Sequence, residues 1–382
     1  MKLTERTQRI FRARVLALVV FAALCMSTSA GAQNRRGGGG RGGDSSGQGD
    51  PDIQLGIDLT RQGKFAEAIR HFLAAQARVG DDFVLDFNLS LCYVATGQFK
   101  PAIALLNHVR AGGRDATEIE NLLAQAYIGD GQQDRAFEAF QSAVRISPKD
   151  EKLYLYIADA CMQSGNFDAG LKIVETGVNR LPKSAPLHLD RGLFFVQLDR
   201  VDDAQRDLVE AAKLAPGSDI AYIATAQADL LSGDVSGAVQ AGREGIRKPH
   251  PHFMLPALFG EAVVRAGIDP QQPEFSEAVS ALEKSTAERG GYSSAQLALA
   301  KLYLLENRIE DAIARLNIAG QLEPDNPAVY SNLVIAYRKR GDAAHAQEAA
   351  AMLARLNALQ AQKIADAKGD TKAGYAARTP HQ

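Results

Sequence analysis

The sequence predicts an all-α fold, an α-solenoid of repeated helical hairpins, and two patterns support this prediction. Gly63, Gly97, Gly131 and Gly165 lie 34 residues apart, a period that indicates repetition of one supersecondary unit rather than a single compact core. Apolar residues on both sides of each glycine recur three or four positions apart, which is the spacing of an amphipathic helix. Since the glycine stands where the first helix must end and the chain must turn, each unit is expected to be a hairpin of two helices.

The first five units keep this register without a shift. The second helix of each unit mixes small and large apolar residues, as Ala136, Phe140 and Ala143 do in the third unit. We expect small residues of the two helices, such as Ala124 and Ala136, to face each other and let the helices approach closely. Larger residues such as Tyr127 and Phe140 are expected to fill the space between one hairpin and the next.

The later units follow the same register with one interruption. Gly242 and Gly245 of the sixth unit stand where bulkier residues are expected, and six extra residues, 268–273, follow Gly267 in the seventh. The eighth and ninth units are again in register, so the array is expected to hold nine hairpins. Glycine costs about 1 kcal/mol relative to alanine inside a helix, so we expect a soft joint within residues 240–275.

Four features together resemble the tetratricopeptide repeat. They are the 34-residue period, the small residues in both helices, the Gly-x-Phe turn, and the proline that closes units three and four at Pro148 and Pro182. One feature departs from it, since the repeat usually has a Trp near its start and this chain contains none. The resemblance implies a right-handed superhelix in which the first helix of each hairpin lines a concave groove. It also implies that the groove binds another protein or a peptide.

The N-terminal residues have the layout of a secretory signal. Basic residues precede an apolar run, 15–26, and the small residues Ala30 and Ala32 then mark a cleavage site. The run is shorter than the roughly 20 residues that cross a bilayer, so an uncleaved anchor is the less favoured interpretation. Lipid attachment at Cys25 is a further alternative, disfavoured because Leu24 stands where a small residue is usual. We therefore expect an exported protein, either periplasmic or secreted.

The expected domain organisation follows from these boundaries. Residues 1–32 are the signal, 33–49 a disordered Gly/Arg-rich linker, 50–252 the first six repeats, 253–367 the last three repeats with a C-terminal capping helix, and 368–382 a disordered tail. The Gly/Arg tract also resembles the Arg-Gly-Gly tracts of RNA-binding proteins. In a chain with a formal net charge of -2, however, a flexible linker is favoured and no nucleic-acid partner is expected.

The chain offers little evidence of catalytic or metal chemistry. It lacks a phosphate-binding loop and a His-Glu-x-x-His motif, and Cys92 and Cys161 do not have the spacing of zinc ligands. Because these cysteines lie two repeats apart, they are expected to be buried apolar residues rather than a disulfide. His250 and His252 alternate with prolines and are expected to mark a stiff exposed turn. We therefore expect a protein that is not an enzyme, with no catalytic residues, cofactor, metal site or small-molecule substrate.

The candidate binding residues lie at fixed offsets before the turns, on the expected groove face of five first helices. Apolar side chains and amides are interspersed there, so an extended partner would find hydrogen-bonding groups for its backbone and pockets for alternate side chains. The ten residues are Phe87, Leu91, Asn121, Gln125, Leu155, Asp159, Leu189, Leu193, Ile223 and Gln227. Packing between helices, without contact to a partner, is the alternative interpretation for about half of them.

The predicted function is an exported non-enzymatic scaffold that binds a protein or peptide in the groove. The alternative is a non-catalytic regulatory or substrate-holding subunit of a separate enzyme, or of a secretion or assembly complex. Self-assembly through the terminal repeats is a third hypothesis, which the expected capping helix disfavours. After signal cleavage, the protein is not expected to be an integral membrane protein.

Overall fold

The computed structural model describes residues 50–113 and 116–376, with side chains described as far as residue 362. The expected signal, the linker and the end of the expected tail lie outside the described residues, and those expectations stay predictions. Within the described residues every regular element is an α-helix. The all-α class is therefore confirmed.

Eighteen helices lie in the described part of the chain and form nine successive pairs, one pair for each repeat unit. They are α1 (Pro51–Arg61), α2 (Phe65–Val79), α3 (Phe83–Ala95), α4 (Phe99–Ala111), α5 (Thr117–Gly129), α6 (Gln133–Ile146), α7 (Glu151–Ser164), α8 (Phe167–Arg180), α9 (Ala185–Gln197), α10 (Val201–Leu214), α11 (Asp219–Ser232), α12 (Val235–Ile246), α13 (Leu255–Arg265), α14 (Pro273–Glu288), α15 (Ser293–Leu305), α16 (Ile309–Leu322), α17 (Pro327–Arg340) and α18 (Ala343–Ala376). The odd-numbered helices are the first helices of the units.

The turn between the two helices of every unit contains one residue with positive φ. Two of these residues are not glycines: Asp199 has a φ of 57° and Asn307 a φ of 60°. Asp and Asn adopt the left-handed region more readily than other residues with a β-carbon. The nine turn residues are Gly63, Gly97, Gly131, Gly165, Asp199, Gly233, Gly267, Asn307 and Gly341. The register predicted from the sequence therefore holds through all nine units, including the two without the glycine.

The helices divide into two compact units, with the boundary between Gly233 and Asp234. The first unit contains α1 to α11 and the second contains α12 to α18. The division falls at Gly233, within the sixth repeat, and so precedes the boundary after His252 that the sequence predicts. The expected softness of residues 240–275 concerns motion and stays a prediction.

Glycines inside the helices of the first unit make room for aromatic rings. A β-carbon at Gly170 of α8 would overlap the ring of Phe194 on α9 and lie 3.0 Å from the β-carbon of Cys161 on α7. A β-carbon at Gly56 of α1 would lie 2.6 Å from the ring of Phe72 on α2. Both rings are buried. Glycine at these positions thus leaves space for a large ring of a neighbouring helix, and the expected contact of Ala124 with Ala136 stays a prediction.

The two cysteines of the described chain are both buried and free. Cys92 lies on α3 with its Sγ 3.2 Å from Oγ1 of Thr60, and Cys161 lies on α7. Burial raises the pKa of each thiol to about 12. These residues therefore behave as small apolar core residues, as the sequence predicts.

The last helix extends farther than the sequence predicts. The second helix of the ninth unit continues without a break to Ala376, beyond the expected helix end near Ala367. Most side chains between residues 351 and 362 are exposed, including those of Met352 and Leu359. The capping role expected of this helix stays a prediction.

None of the helices in the described residues has the length and hydropathy that a membrane span requires.

Candidate binding surface

The first helices of the first unit form a layer in direct contact. Each one packs against the first helix of the next repeat, in the pairs α1 with α3, α3 with α5, α5 with α7, α7 with α9, and α9 with α11. Among the described residues of this unit, no second helix packs comparably on the next second helix. Since neighbouring helices lie closer together in the layer of first helices, this layer is the inner side of the stack.

The ten candidate residues from the sequence all lie on this inner layer, but they differ in exposure. Five are buried: Phe87, Leu91, Asn121, Leu189 and Ile223. Five are half-buried: Gln125, Leu155, Asp159, Leu193 and Gln227. Ile223 is only 1% exposed, so its side chain packs between helices and offers no surface to a partner. The half-buried set is the part of the prediction that can make contact without a change of structure.

Polar side chains on α5 and α7 are paired one helical turn apart. Gln125 donates from Nε2 to Oδ1 of Asn121 at 2.8 Å, and Gln163 donates from Nε2 to Oδ2 of Asp159 at 2.6 Å. Residues four apart lie on the same helix face, so each bond fixes the direction of an amide on the inner layer. On α7 the stripe continues to Leu155, which gives one apolar and two polar side chains in a row.

Sequence reasoning missed Gln163. Its Oε1 is buried and accepts no hydrogen bond from the described residues. A buried acceptor without a partner is unfavourable by about 1–3 kcal/mol, and rotation of the half-buried Gln163 side chain toward a donor from another molecule would relieve this cost. The sequence signal that could have identified Gln163 is its position, one turn after Asp159 and two residues before Gly165.

A buried ionic cluster fixes α9 against α10. Asp207 of α10 accepts hydrogen bonds from Nε and Nη2 of Arg191 at 2.6 and 2.7 Å. Nδ1 of His188 lies 2.8 Å from the same carboxylate, and its Nε2 lies 3.1 Å from the carbonyl oxygen of Pro182. The hydrogen bonds to Asp207 raise the pKa of the Arg191 guanidinium.

One group of three potential metal ligands occurs among the described residues. Its members are Asp81, Asp86 and His108, whose ligand atoms all lie within 4.8 Å of one another. His250 and His252 do not belong to a group of this kind in the described chain. The sequence did not indicate this cluster because its members come from a loop and two separate helices, with no motif spacing between them.

Two family models, both described as Tetratricopeptide repeat, match the chain. One matches residues 59–126 and 127–189, and the other matches residues 189–251. The chain is also similar to a chicken (Gallus gallus) protein, DnaJ homolog subfamily C member 3. The two are 21% identical over 291 residues, which make up 72% of this chain and 52% of the relative. The chain therefore spans about half the length of that curated relative.

Solved structures with a similar arrangement of helices include the Cut9–Hcn1 hetero-tetramer of the APC/C and yeast Tom70. The first has a TM-score of 0.47 and 14% identity, over 76% of this chain and 56% of that chain. Tom70 has a TM-score of 0.36 and 15% identity, over 84% of this chain and 95% of its own. The family-model matches run without a gap from residue 59 to residue 251, half of the sequence, and the chain belongs to the tetratricopeptide repeat family.

Proposed function

We propose that this protein is an exported, non-enzymatic scaffold that binds an extended segment of another protein along the inner layer of its first unit. Protein–protein interaction is the activity to which the repeat architecture is suited, because stacked hairpins present a long continuous surface. The segment would lie across α5, α7 and α9. Export rests on the signal-like sequence that ends at Ala32.

The stripe on α7 is the single observation that best supports the proposal. Leu155 offers a half-buried apolar surface, Asp159 and Gln163 follow at successive turns, and Oε1 of Gln163 is a buried acceptor without a donor from the described residues. An extended chain carries a backbone N–H at every second residue on one side and side chains on the other. One of those N–H groups could donate to Gln163 while an adjacent apolar side chain packs on Leu155 or Leu193.

Capture of partners with matched variants tests the surface. The inner-layer variant carries Leu155→Lys and Leu193→Lys. The control carries Phe137→Lys and Val209→Lys, which are apolar residues of second helices in the same unit, with 45% and 41% exposure. The full-length protein and both variants are used to recover partners from the envelope and secreted fractions of the source organism. We expect the inner-layer variant to lose a partner that the control retains.

Recovery of the same partner at the same level by all three proteins would refute the surface assignment. Loss of the partner by the control alone would assign the binding surface to the second helices instead. Gln163→Ala, which preserves the helix, should weaken binding of the recovered partner by about fivefold to thirtyfold if its oxygen accepts a hydrogen bond from that partner.

Export is tested separately by the N-terminal sequence of the protein isolated from its source. A mature chain that begins at Gln33 in the envelope or secreted fraction is the expected result. A chain that retains Met1, or one found only in the cytoplasmic fraction, would contradict this part of the proposal.

A further inference from the structure

We propose that Asp81, Asp86 and His108 form a binding site for a divalent transition-metal ion of the zinc type. Asp81 lies in the loop between α2 and α3, Asp86 in the first turn of α3, and His108 near the end of α4. The site therefore lies where the first repeat meets the second. It does not depend on the proposed partner-binding surface.

The distances between the three side chains suit a small cation. Nε2 of His108 lies 3.4 Å from Oδ2 of Asp81, and all three ligand atoms lie within 4.8 Å of one another. A tetrahedral zinc site with bonds of about 2.0–2.2 Å places its ligand atoms about 3.3–3.6 Å apart. The side chains of Asp81 and His108 are 86% and 58% exposed. They are therefore free to rotate, and rotation can shorten the longest separations between ligand atoms to those of a tetrahedral site.

The burial of Asp86 is an independent observation that points to a cation. Asp86 is 3% exposed, and its Oδ1 accepts a hydrogen bond from Nε2 of Gln76 at 3.1 Å. No basic side chain lies within ion-pair distance of it among the described residues. An ionised carboxylate in such a place is unfavourable without a compensating charge, and a divalent ion would supply one.

The neighbouring charged side chains, Asp82 and Arg110, have other partners. The carboxylate of Asp82 accepts a hydrogen bond from the backbone N–H of Leu85 at 3.0 Å and so caps α3. Arg110, two residues after His108, donates to Asn107 and pairs with Glu120 on α5. The cluster is therefore left with two carboxylates and one imidazole as its available ligands.

This ligand set decides the class of ion. Imidazole nitrogen favours zinc, cobalt, nickel or copper, whereas calcium and magnesium prefer oxygen ligands throughout. Three protein ligands leave a fourth position for water or for a donor from another molecule. Binding would tie the α2–α3 loop to α4 and so couple the first two repeats. An ion that binds only the folded chain also raises the stability of that fold.

A zinc titration of the full chain, purified without a histidine tag and freed of metal by EDTA, tests the site. Zinc is added in competition with a fluorescent chelator, and the melting temperature is followed in parallel. We expect one ion for each chain and a higher melting temperature with zinc. Asp81→Asn and His108→Gln should each weaken binding at least about tenfold and abolish the rise in melting temperature.

His345→Gln is the matched control, because His345 lies at the surface with Nδ1 2.7 Å from Oδ2 of Asp342 and so forms an Asp–His pair without a third ligand. This variant should bind zinc like the unchanged chain. Asp86→Asn removes the buried carboxylate, and if it fails to fold, the two exposed variants still decide the question. Absence of saturable binding, equal binding by His108→Gln, or equal loss in His345→Gln would each overturn the proposal. Magnesium that competes at the concentration of zinc would overturn the assigned ion class.

Discussion

The hydroxyl of Tyr154 donates a hydrogen bond to the carbonyl oxygen of Pro148 at 2.7 Å, and this bond ties the first turn of α7 to the end of the preceding repeat. The same tie, from a side chain to the carbonyl six residues earlier, recurs in three later repeats. The other pairs are His188 with Pro182, Gln296 with Gly290 and Tyr330 with Pro324. Tyrosine, histidine and glutamine side chains thus make the same contact, since each donates a hydrogen bond to a backbone carbonyl at the junction between consecutive repeats.

Tyr154→Phe should therefore weaken the junction between the third and fourth repeats. The ring of Tyr154 is fully buried, so removal of its hydroxyl leaves the Pro148 carbonyl short of a donor. We expect a loss of about 1–3 kcal/mol in the free energy of unfolding, measured by urea denaturation with circular dichroism. The control is Tyr330→Phe, where the equivalent bond is exposed and water can replace the hydroxyl. Equal losses in the two variants would contradict this account.

The turn at Gly131 gives a prediction about backbone conformation alone. Its φ is 80°, and a β-carbon there would meet no atom within 4 Å. Gly131→Ala should reduce the free energy of unfolding by about 1–2 kcal/mol, because residues with a β-carbon are strained in the left-handed region. Gly131→Asn should lose clearly less, since Asn307 occupies the equivalent turn in the eighth repeat. Urea denaturation of both variants measures the difference, and a larger loss for asparagine would count against the argument.

The fold could be predicted from the sequence further than the binding surface could. The turn register was visible in the sequence because one fixed period recurs along the chain, and the structure extends it to the turns at Asp199 and Asn307. The exposure of side chains on the inner layer was harder to predict. Leu189 and Leu193 lie one turn apart on the same face of α9, and yet only Leu193 is half-buried. The sequence analysis missed the group of Asp81, Asp86 and His108 entirely. Its members meet only through the packing of α2, α3 and α4, and no spacing in the sequence records that contact.

Asp342 gives a prediction about pH. Its carboxylate accepts from the backbone N–H of His345 at 3.1 Å and from Nη2 of Arg340 at 2.5 Å, at the start of α18. These interactions, the backbone bond first, lower the pKa of Asp342 from 3.8 to about 2. A carboxyl group with a lowered pKa in the folded state stabilises that state above its unfolded pKa, and the contribution is lost as the pH falls through the folded value.

The start of α18 should therefore loosen as the pH falls from about 4 to about 2. An NMR titration of the Asp342 carboxyl carbon measures the pKa directly, and amide exchange in the first turn of α18 follows the loosening. Asp342→Asn retains an acceptor for the His345 N–H, so it should remove this part of the pH dependence while the helix start persists. A carboxyl group that titrates near 3.8 would show that the two hydrogen bonds do not form in solution.

The contact between Gly170 and Phe194 gives the sharpest prediction about packing. A β-carbon at Gly170 would overlap the Phe194 ring, which is 1% exposed and cannot move aside into solvent. Gly170→Ala should therefore destabilise the protein by about 1–3 kcal/mol, although alanine is the better helix former by about 1 kcal/mol. Phe194→Leu removes the atoms that the new methyl group would meet. In the double variant the alanine should then cost less than it does alone, and urea denaturation of the four proteins measures this coupling. Additive losses would mean that the two residues do not compete for the same space.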